Sequence, residues 1–524
     1  MDSEPAIILL FLIASAVAVG AARLHIPYTV ALVLTGLVLG VLQLFHAPQL
    51  TRDIVFMIFL PGLVFEAAFH IEFEELWRDR SAVLGLAIPG VVVSIGITAA
   101  LLVFASHEIP YLQDMSWTLA LVFGAAVAAT DPIAVVSLFR ELGAPRRLTL
   151  LIEGESLLND GTSIVFFMLV LGVALGVPAS PGDIVVEFGR VVGAGAIIGA
   201  MTGLLVSQLL RRIDDAMVEI TLTTVAAYGS FLLADQLGYS GVISTVAAGL
   251  ICGNYGAQTG MSPSTRVAAE TFWEYVGFAL NSLIFLLVGL QVHMDTLLSV
   301  WPMIIIAYLV ITLTRGIVIS GASGLLALTR ARLPKYWGIV LTWGGLRGAL
   351  SMVLALSLPV DMPLRELILA MVFGVVLLSL LIQGLSMAPL ARRLGIVGGR
   401  EVLKDWETAQ LRKEMVNDVL ETLAQLRKRH HASAGALDII ETHYREQQDA
   451  ATAALDSIQL DKGYKINEEL AQLQRRMVLL EKQRLLEARR HGTIGADSFK
   501  ELLAAIDARY LKLESAGIQQ VEPD

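Results

Sequence analysis

The chain is poor in cysteine and in charged residues for its length. Its 524 residues include one cysteine, Cys252, so an internal disulfide is excluded. Only 16% of the residues are charged, whereas 55% are hydrophobic, and the mean hydropathy is +0.68. This balance is typical of a membrane protein with many spans and unlike that of a soluble domain. The net charge of −10 argues against a nucleic-acid partner.

Sequence motifs of several pump and enzyme classes are also missing. No G-x-x-x-x-G-K-[ST] loop occurs, so the chain lacks the phosphate-binding motif of an ATP-driven pump. The nine histidines form no ligand cluster, and those near span ends are interpreted as interfacial residues. We find no nucleophile–base pair or metal constellation of the kind that a membrane hydrolase needs. The sequence therefore predicts neither an enzyme nor a resident cofactor.

Apolar runs of about 20 residues recur up to about residue 394, the length that crosses a bilayer as a helix. They predict an all-α polytopic membrane protein, surrounded by membrane lipids, with about thirteen spans. We place these spans at 6–22, 27–45, 53–69, 81–105, 116–139, 148–175, 184–210, 217–236, 239–256, 268–290, 298–328, 335–359 and 365–390. The first follows Asp2 and Glu4 and is interpreted as retained rather than cleaved.

The charges of the loops predict how the chain is oriented. Lys and Arg concentrate in every second loop, which makes those loops cytoplasmic by the positive-inside rule. The N-terminus is then expected outside and the C-terminus inside. Composition changes after residue 395, so we predict a transmembrane domain over 1–395 and a cytoplasmic helical domain over 396–524.

The predicted cytoplasmic domain has a charge pattern of its own. Its last 124 residues contain 18 Lys or Arg and 22 Asp or Glu. Apolar residues such as Leu403, Leu411 and Met415 recur at helical spacing. A solvated tail of packed helices and a regulatory or ligand-sensing domain both fit this pattern, and the ligand of such a domain stays unknown.

The sixth span carries polar residues where a membrane helix is usually apolar. Glu155 and Asn159 are four residues apart, as are Ser156 and Asp160, so they share one face of a helix. A charge at the bilayer centre costs about 2.5–3.5 kcal/mol on insertion scales and is found mainly in bundle interiors, cavities or ion paths. The span therefore predicts a functional polar stripe.

Two other spans contain helix-breaking residues at membrane depth. Pro132 follows Thr130 and Asp131 in the fifth span, and glycines surround Arg347 in the W-G-G-L-R-G stretch of the twelfth. Each pattern predicts a break whose backbone groups must be satisfied by protein or by a water-filled cavity. The breaks lie seven spans apart, as expected for two inverted six-span repeats. We expect Arg347 to offset the negative charge of helix C-termini.

Two further charged residues need an explanation. Arg315 lies within the eleventh span and needs a partner of opposite charge. We choose Glu155 because that acid is also a charged side chain at membrane depth. This structural ion pair would leave Asp160 as the titrating group. Glu66, near the cytoplasmic end of the third span, either completes an ion cage or only turns toward the interface.

The polar side chains at the predicted site offer hard oxygen donors. Thr130, Ser156 and Asn159 are neutral, and Asp131 and Asp160 are anionic, a set that suits a small hard cation better than an organic substrate. Desolvation favours a protonated carboxyl, whereas a neighbouring cation favours the carboxylate, so proton and cation compete for one group. If the site can turn from one side of the membrane to the other only when it carries a cation or a proton, the result is exchange of one for the other.

Five stretches resemble one known family. ATDPIAVVSLF and GESLLNDGTSIV resemble the cation–proton antiporter superfamily, in the branch of prokaryotic sodium/proton antiporters and animal sodium/hydrogen exchangers. IPYTVALVLTGLVLG, LPGLVFEAAF and WGGLRGALS are similar to its other hallmark stretches, and the resemblance covers residues 1–395. It implies a homodimer with a dimerisation subdomain and a moving core, crossed broken helices and elevator-like alternating access in the plasma membrane.

The resemblance also implies roles for single residues. In this family an aspartate following an asparagine binds the cation, and the Asn-Asp pair accompanies electroneutral one-for-one exchange. The matching motif positions here are Asn159 and Asp160, Thr130 and Asp131, Ser156, and the ion pair of Glu155 with Arg315. The implied activity is exchange of Na⁺ for H⁺. Transport of Li⁺ or K⁺ by the same mechanism stays open, and a cation channel is the more distant alternative.

Overall fold

The computed structural model describes most of the chain. The described residues are 3–24, 27–42, 52–108, 115–178, 180–213, 215–291, 294–327, 332–397, 399–428 and 434–457, with scattered residues between 477 and 506. These residues contain helices and turns but no strand. The chain divides into two compact units, Met1–Ile396 and Val397–Asp524. We describe each unit by itself.

The helices of the first unit are interrupted at several points. They are α1 (Ser3–Leu24), α2 (Tyr28–Val41), α3 (Arg52–Ile54), α4 (Leu60–His70), α5 (Phe73–Arg78), α6 (Arg80–Gly85), α7 (Val91–Glu108), α8 (Trp117–Ala126), α9 (Ile133–Leu142), α10 (Arg146–Ala174), α11 (Pro181–Leu210), α12 (Ala216–Gln236), α13 (Gly241–Ile251), α14 (Ala257–Thr259), α15 (Pro263–Leu290), α16 (Met294–Ser299), α17 (Trp301–Leu326), α18 (Trp337–Trp343), α19 (Ala349–Leu356), α20 (Arg365–Leu378) and α21 (Leu385–Arg393). Some neighbours are joined by π-helical turns, which are frequent at functional positions. These turns are Val55–Phe59, Leu86–Gly90, Cys252–Gly256 and Ser379–Gly384.

The lengths and composition of these helices confirm the predicted all-α membrane protein. Among the described residues, seven helices are long and apolar enough to cross a membrane, and several shorter apolar helices accompany them. The described residues of each predicted span are mostly helical, apart from the interruptions within 116–139 and 335–359, and positions 43–45 and 328 lie outside the described residues. The exact number of crossings stays a prediction, because several of these helices are short or broken.

The helices of this unit pack in two groups. The first contains α1, α2, α4, α11, α12, α13 and α15, and the second contains α6, α7, α8, α10, α17, α18, α19 and α20. Helix α10 belongs to the second group through α8 and also contacts α4, α11 and α13 of the first. The polar stripe of α10 is therefore enclosed between the two groups.

Glycines set the closest approaches between helices. Gly199 of α11 lies against the backbone carbonyl of Ser244 in α13, and Gly36 of α2 lies against the carbonyl of Leu286 in α15. Helices in a membrane associate through van der Waals contact, which small residues make possible at short range. These positions leave no room for a larger side chain.

In the described part of the second unit, helices α22 (Gly399–Lys428) and α23 (Ala434–Ser457) pack on each other. Val416 and Leu423 of α22 are buried seven residues apart, the spacing of a coiled-coil seam. Arg427 pairs with Glu441 at 3.1 Å, and Gln448 donates to Asn417 at 2.6 Å. Because these partners run in opposite order, the two helices are antiparallel.

We predict that Gly199→Ala lowers the melting temperature of the purified protein. The added methyl group would collide with the Ser244 carbonyl, and overpacking of this kind costs about 1–3 kcal/mol. Gly193→Ala on the same helix is the matched control, because nothing lies within 4 Å of a Cβ at that position. Equal melting temperatures for the two variants would contradict the close packing of α11 on α13.

Candidate functional site

The first predicted break is present between α8 and α9. Residues 127–132 are non-helical, and α9 begins directly after Pro132. The Asp131 carboxylate accepts a hydrogen bond at 3.1 Å from the backbone N–H of Ile133, in the first turn of α9. The side chain thus satisfies one donor that the break leaves without an intrahelical partner. Its negative charge also lies at the positive end of the α9 dipole.

The second break lies between α18 and α19 and crosses the first. Residues 344–348 are non-helical. The Asp131 backbone N–H donates to the Leu346 carbonyl at 2.8 Å, so the two interruptions are joined backbone to backbone. Gly348 packs directly on the Asp131 side chain, where a Cβ atom would overlap the carboxylate. The glycine is therefore required by its contact with Asp131.

Arg347 is directed at the carbonyls of the opposite break. Its Nη1 donates to the carbonyls of Ala128 at 2.7 Å and Ala129 at 3.1 Å, just beyond the end of α8. The side chain is 3% exposed. Carbonyls at a helix C-terminus carry partial negative charge, which a guanidinium offsets. This is the placement that the sequence predicts for Arg347.

Arg315 and Glu155 form a buried ion pair between α17 and α10. Both guanidinium Nη atoms bond the carboxylate, Nη1 to Oε1 and Nη2 to Oε2, the second at 2.9 Å. The Arg315 side chain also donates to the Leu341 carbonyl at 3.2 Å, in the last turn of α18. Each broken helix thus has one arginine that donates to carbonyls at its end. Arg347 does so just after α8, and Arg315 does so in the last turn of α18.

The polar stripe of α10 holds the first break in place. Asn159 Nδ2 donates to the Ala128 carbonyl and to Thr130 Oγ1, both at 3.1 Å, and its Oδ1 accepts from Ser163 at 2.6 Å. The Ser156 hydroxyl donates to the Thr130 carbonyl. Asn159 is therefore committed to protein partners, and its predicted role as a cation ligand stays a prediction.

A cavity of about 450 Å³ reaches the remaining predicted residues. Its walls come from α4 and α15 of the first helix group, from α10 and α19 of the second, and from α9 with the break before it. The predicted site residues that line it are Asp160, Asp131, Thr130, Ser156 and Glu66. The structure thus brings five predicted ligands to one space, whereas Glu155, Arg315, Arg347 and Asn159 lie in the supporting shell.

Asp160 is the least committed acid of this set. Among the described residues, no donor bonds its carboxylate, whereas Asp131 accepts from Ile133. Three carboxylates (Asp131, Asp160 and Glu66) and two neutral side-chain oxygens around one cavity suit a small hard cation. Within the described part of the chain, no group of three or more His, Cys, Asp or Glu residues could hold a metal ion.

Glu66 lies on the opposite wall of the cavity from Asp160. Its carboxylate packs on Gly277 of α15 and lies 3.4 Å from His70 Nδ1. That Nδ1 is also 2.9 Å from the Glu66 backbone carbonyl, so His70 is only a weak partner for the carboxylate. Glu66 thus lines the cavity, and its predicted role as a cation ligand stays a prediction.

Several residues of the site escaped the sequence analysis. The contacts of Leu341 and Leu346 are made by backbone carbonyls, which carry no residue signature. Gly348 belonged to a recognised glycine cluster, but its contact with Asp131 depends on the crossing of two distant segments. Ser379 lies in a π-helical turn, and its Oγ accepts a hydrogen bond from the Arg347 backbone N–H at 3.2 Å. Turns of this kind have no simple sequence signal.

Comparisons with known proteins agree with this geometry. Residues 7–393 match the family described as sodium/hydrogen exchanger, transmembrane. The Na(+)/H(+) antiporter ApNhaP of Aphanothece halophytica is 37% identical over 505 residues, covering 94% of this chain and 93% of its own. The Na(+)/H(+) antiporter NhaH of Halobacillus dabanensis is 36% identical over 408 residues, covering 75% of this chain and 98% of its own.

A solved structure shares the fold. The sodium proton antiporter MjNhaP1 from Methanocaldococcus jannaschii superposes with a TM-score of 0.61 at 19% sequence identity. The match covers 75% of this chain and 98% of that chain. At this identity the likeness concerns the arrangement of helices alone.

We predict that Glu155→Gln lowers the melting temperature strongly, because it leaves Arg315 buried without a counter-charge. Removing one partner of a buried pair costs about 3–5 kcal/mol. The double variant Glu155→Gln, Arg315→Gln should recover part of the loss. Glu187→Gln, which breaks an exposed pair with Arg190, is the control and should change little. An unchanged melting temperature in Glu155→Gln would show that the pair does not hold α10 to α17.

Proposed function

Because the chain belongs to the transmembrane sodium/hydrogen exchanger family, we propose that it is a secondary antiporter that exchanges Na⁺ for H⁺. The observation that carries this proposal is the cavity that ends at Asp160, whose carboxylate has no hydrogen-bond donor among the described residues. Such a carboxylate needs either a proton or a cation to offset its charge. It is the group for which the two substrates would compete.

We propose that Asp160 binds the cation with help from neighbouring oxygens. Asp131, Thr130 and Ser156 line the same space and supply one further anionic and two neutral donors. Oxygen ligands of this kind replace the hydration shell of a small hard cation. In the proton-loaded form the Asp160 carboxyl is neutral, and the cavity needs no bound cation.

One-for-one exchange follows if Asp160 alone changes its load. Asp131 is held by the N-terminus of α9, and Glu155 is neutralised by Arg315. Asn159 occupies the position beside Asp160 with a neutral amide that donates to protein oxygens. If Glu66 also keeps its charge through the cycle, Asp160 carries either one Na⁺ or one proton, which makes the cycle electroneutral.

Alternating access would come from motion between the two helix groups. The cavity lies between α4 and α15 on one side and α9, α10 and α19 on the other. Sliding of the second group would carry the crossed breaks and Asp160 as one body, because backbone and arginine contacts join them. A bare carboxylate would resist this passage through an apolar interface, which prevents uncoupled movement.

The remaining features of the sequence complete the proposal. The basic loops favour a plasma-membrane protein with its N-terminus outside and its C-terminus in the cytoplasm. We propose a homodimer whose first helix group forms the static interface. We also propose that residues 396–524 form a regulatory domain. The alignment with NhaH covers 98% of NhaH but only 75% of this chain. A protein named as a Na(+)/H(+) antiporter therefore lacks a segment that matches the remaining quarter of this chain.

We predict that Asp160→Asn abolishes Na⁺-dependent proton movement in proteoliposomes while the protein still folds. The amide cannot exchange a proton and offers no negative charge to the cation. Asp235→Asn, at an exposed position near the end of α12, is the control and should exchange like the unaltered protein. Substantial exchange by purified, folded Asp160→Asn would remove Asp160 from the proposed mechanism.

We predict that removal of residues 405–524 shifts the pH or Na⁺ dependence of exchange without abolishing it. The first unit contains both helix breaks and all the acids of the proposed site. Release of inhibition is the expected direction, since a domain attached to a moving core most easily slows it. Superimposed profiles would contradict a regulatory role, and a folded truncation that exchanges at no pH would show an essential one.

A further inference from the structure

The cavity has a polar side chain that the proposed mechanism does not use. Asn281 lies on α15, and of the lining residues from that helix (Gly277, Phe278, Asn281 and Ile284) it is the only one with a polar side chain. Its Oδ1 has no hydrogen-bond partner among the described residues. An amide oxygen that is buried without a partner costs about 1–3 kcal/mol. Such a group on a cavity wall implies a partner that comes and goes, such as water or a cation.

Glu66 of α4 is a carboxylate that lines the same cavity. Its side chain packs on Gly277, and Gly277 and Asn281 are four residues apart, so both lie on one face of α15. Among the described residues, the Glu66 carboxylate forms an ion pair only with His70, at 3.4 Å, and the paired Arg140 and Glu153 line the same cavity. Glu66 and Asn281 are therefore two weakly committed oxygen donors on neighbouring turns of one wall.

The aromatic residue between them is fixed. Phe278 stacks on Tyr28 of α2, with ring centroids 5.3 Å apart and an angle of 10° between the planes. The Tyr28 hydroxyl is in turn 2.7 Å from Ser282 Oγ. This stack holds the cavity face of α15 against α2, so the Asn281 side chain projects from a rigid wall.

The wall opposite is built differently. Asn159 uses both ends of its amide on protein partners, and Asp131 is held by α9. Of Asn159, Asp131 and Asp160, only Asp160 accepts no hydrogen bond from a described residue. An ion that enters the cavity thus meets uncommitted oxygens on both walls, one pair on the first helix group and one acid on the second.

We propose that Asn281 is a cation-coordinating residue, which with Glu66 forms a second cation position on the α15 wall. This inference rests on the proposed Na⁺/H⁺ exchange and names a further site along its path. A carboxylate and an amide oxygen are hard donors that replace part of the hydration shell of a small cation. The position lets the ion lose water in two stages, first at Glu66 and Asn281 and then at Asp160.

The test is the Na⁺ dependence of exchange by full-length Asn281→Ala in proteoliposomes. Loss of one neutral ligand should raise the KM for Na⁺ about three- to tenfold, with a smaller fall in turnover. Asn281→Asp, which keeps an oxygen at this position, should restore the KM or lower it. Thr271→Ala, at an exposed position on the same helix, is the matched control. Combined with Glu66→Gln, Asn281→Ala should add little, because both variants remove the same site.

The outcomes separate this inference from the proposed function. If the unaltered protein exchanges Na⁺ for H⁺ and Asn281→Ala has the same KM, Asn281 binds no cation and the inference is wrong. It is also wrong if Asn281→Ala and Asn281→Asp lose melting temperature and turnover together, since the residue is then structural. Absence of exchange in the unaltered protein would instead contradict the function itself.

Discussion

The structure depends on satisfying backbone groups that two helix breaks expose inside an apolar bundle. An unsatisfied N–H or C=O in such surroundings costs several kcal/mol, because apolar side chains and lipid supply no hydrogen-bond partner. The breaks satisfy each other, since the Asp131 N–H donates to the Leu346 carbonyl. Arg347 donates hydrogen bonds to the carbonyls after α8, and Arg315 donates to a carbonyl in the last turn of α18. These contacts join α8, α10, α17, α18 and α19 around the residues that we propose bind the cation.

The same arrangement decides which acid is available to substrate. Glu155 neutralises Arg315, and Asp131 is held by α9, so the fold commits both of these carboxylates to structure. Asp160 lies at the cavity without a donor among the described residues. In the proposed mechanism, the chemistry of exchange follows from this division of roles among three acids. Burial does not separate Asp131 from Asp160, which are both partly buried; their contacts do.

Much of the fold and part of the site were predictable from sequence because they depend on local chemistry. Pro132 after Thr130-Asp131 and the glycines around Arg347 are local patterns that disfavour a helix, so both breaks were predicted in the right spans. Arg315 and Glu155 pointed to each other because each was an isolated charge in an apolar span. The carbonyl of Leu341, the contact of Gly348 with Asp131 and the position of Asn281 depend on how distant helices cross. No residue pattern records that geometry, which is why the hydrogen bonds of Asn159 were also missed.

The central claim is that Na⁺ and a proton compete for one carboxylate. Its most direct test is Na⁺ binding to the purified protein, measured by calorimetry across a pH series in buffers of different ionisation enthalpy. Competition predicts that one proton is released for each Na⁺ bound at pH values well below the pKa of the binding group, where that group is protonated beforehand. It also predicts that the apparent Kd for Na⁺ weakens about tenfold for each pH unit below the pKa of the binding group. A Kd that is independent of pH, or binding without proton release, would contradict the claim.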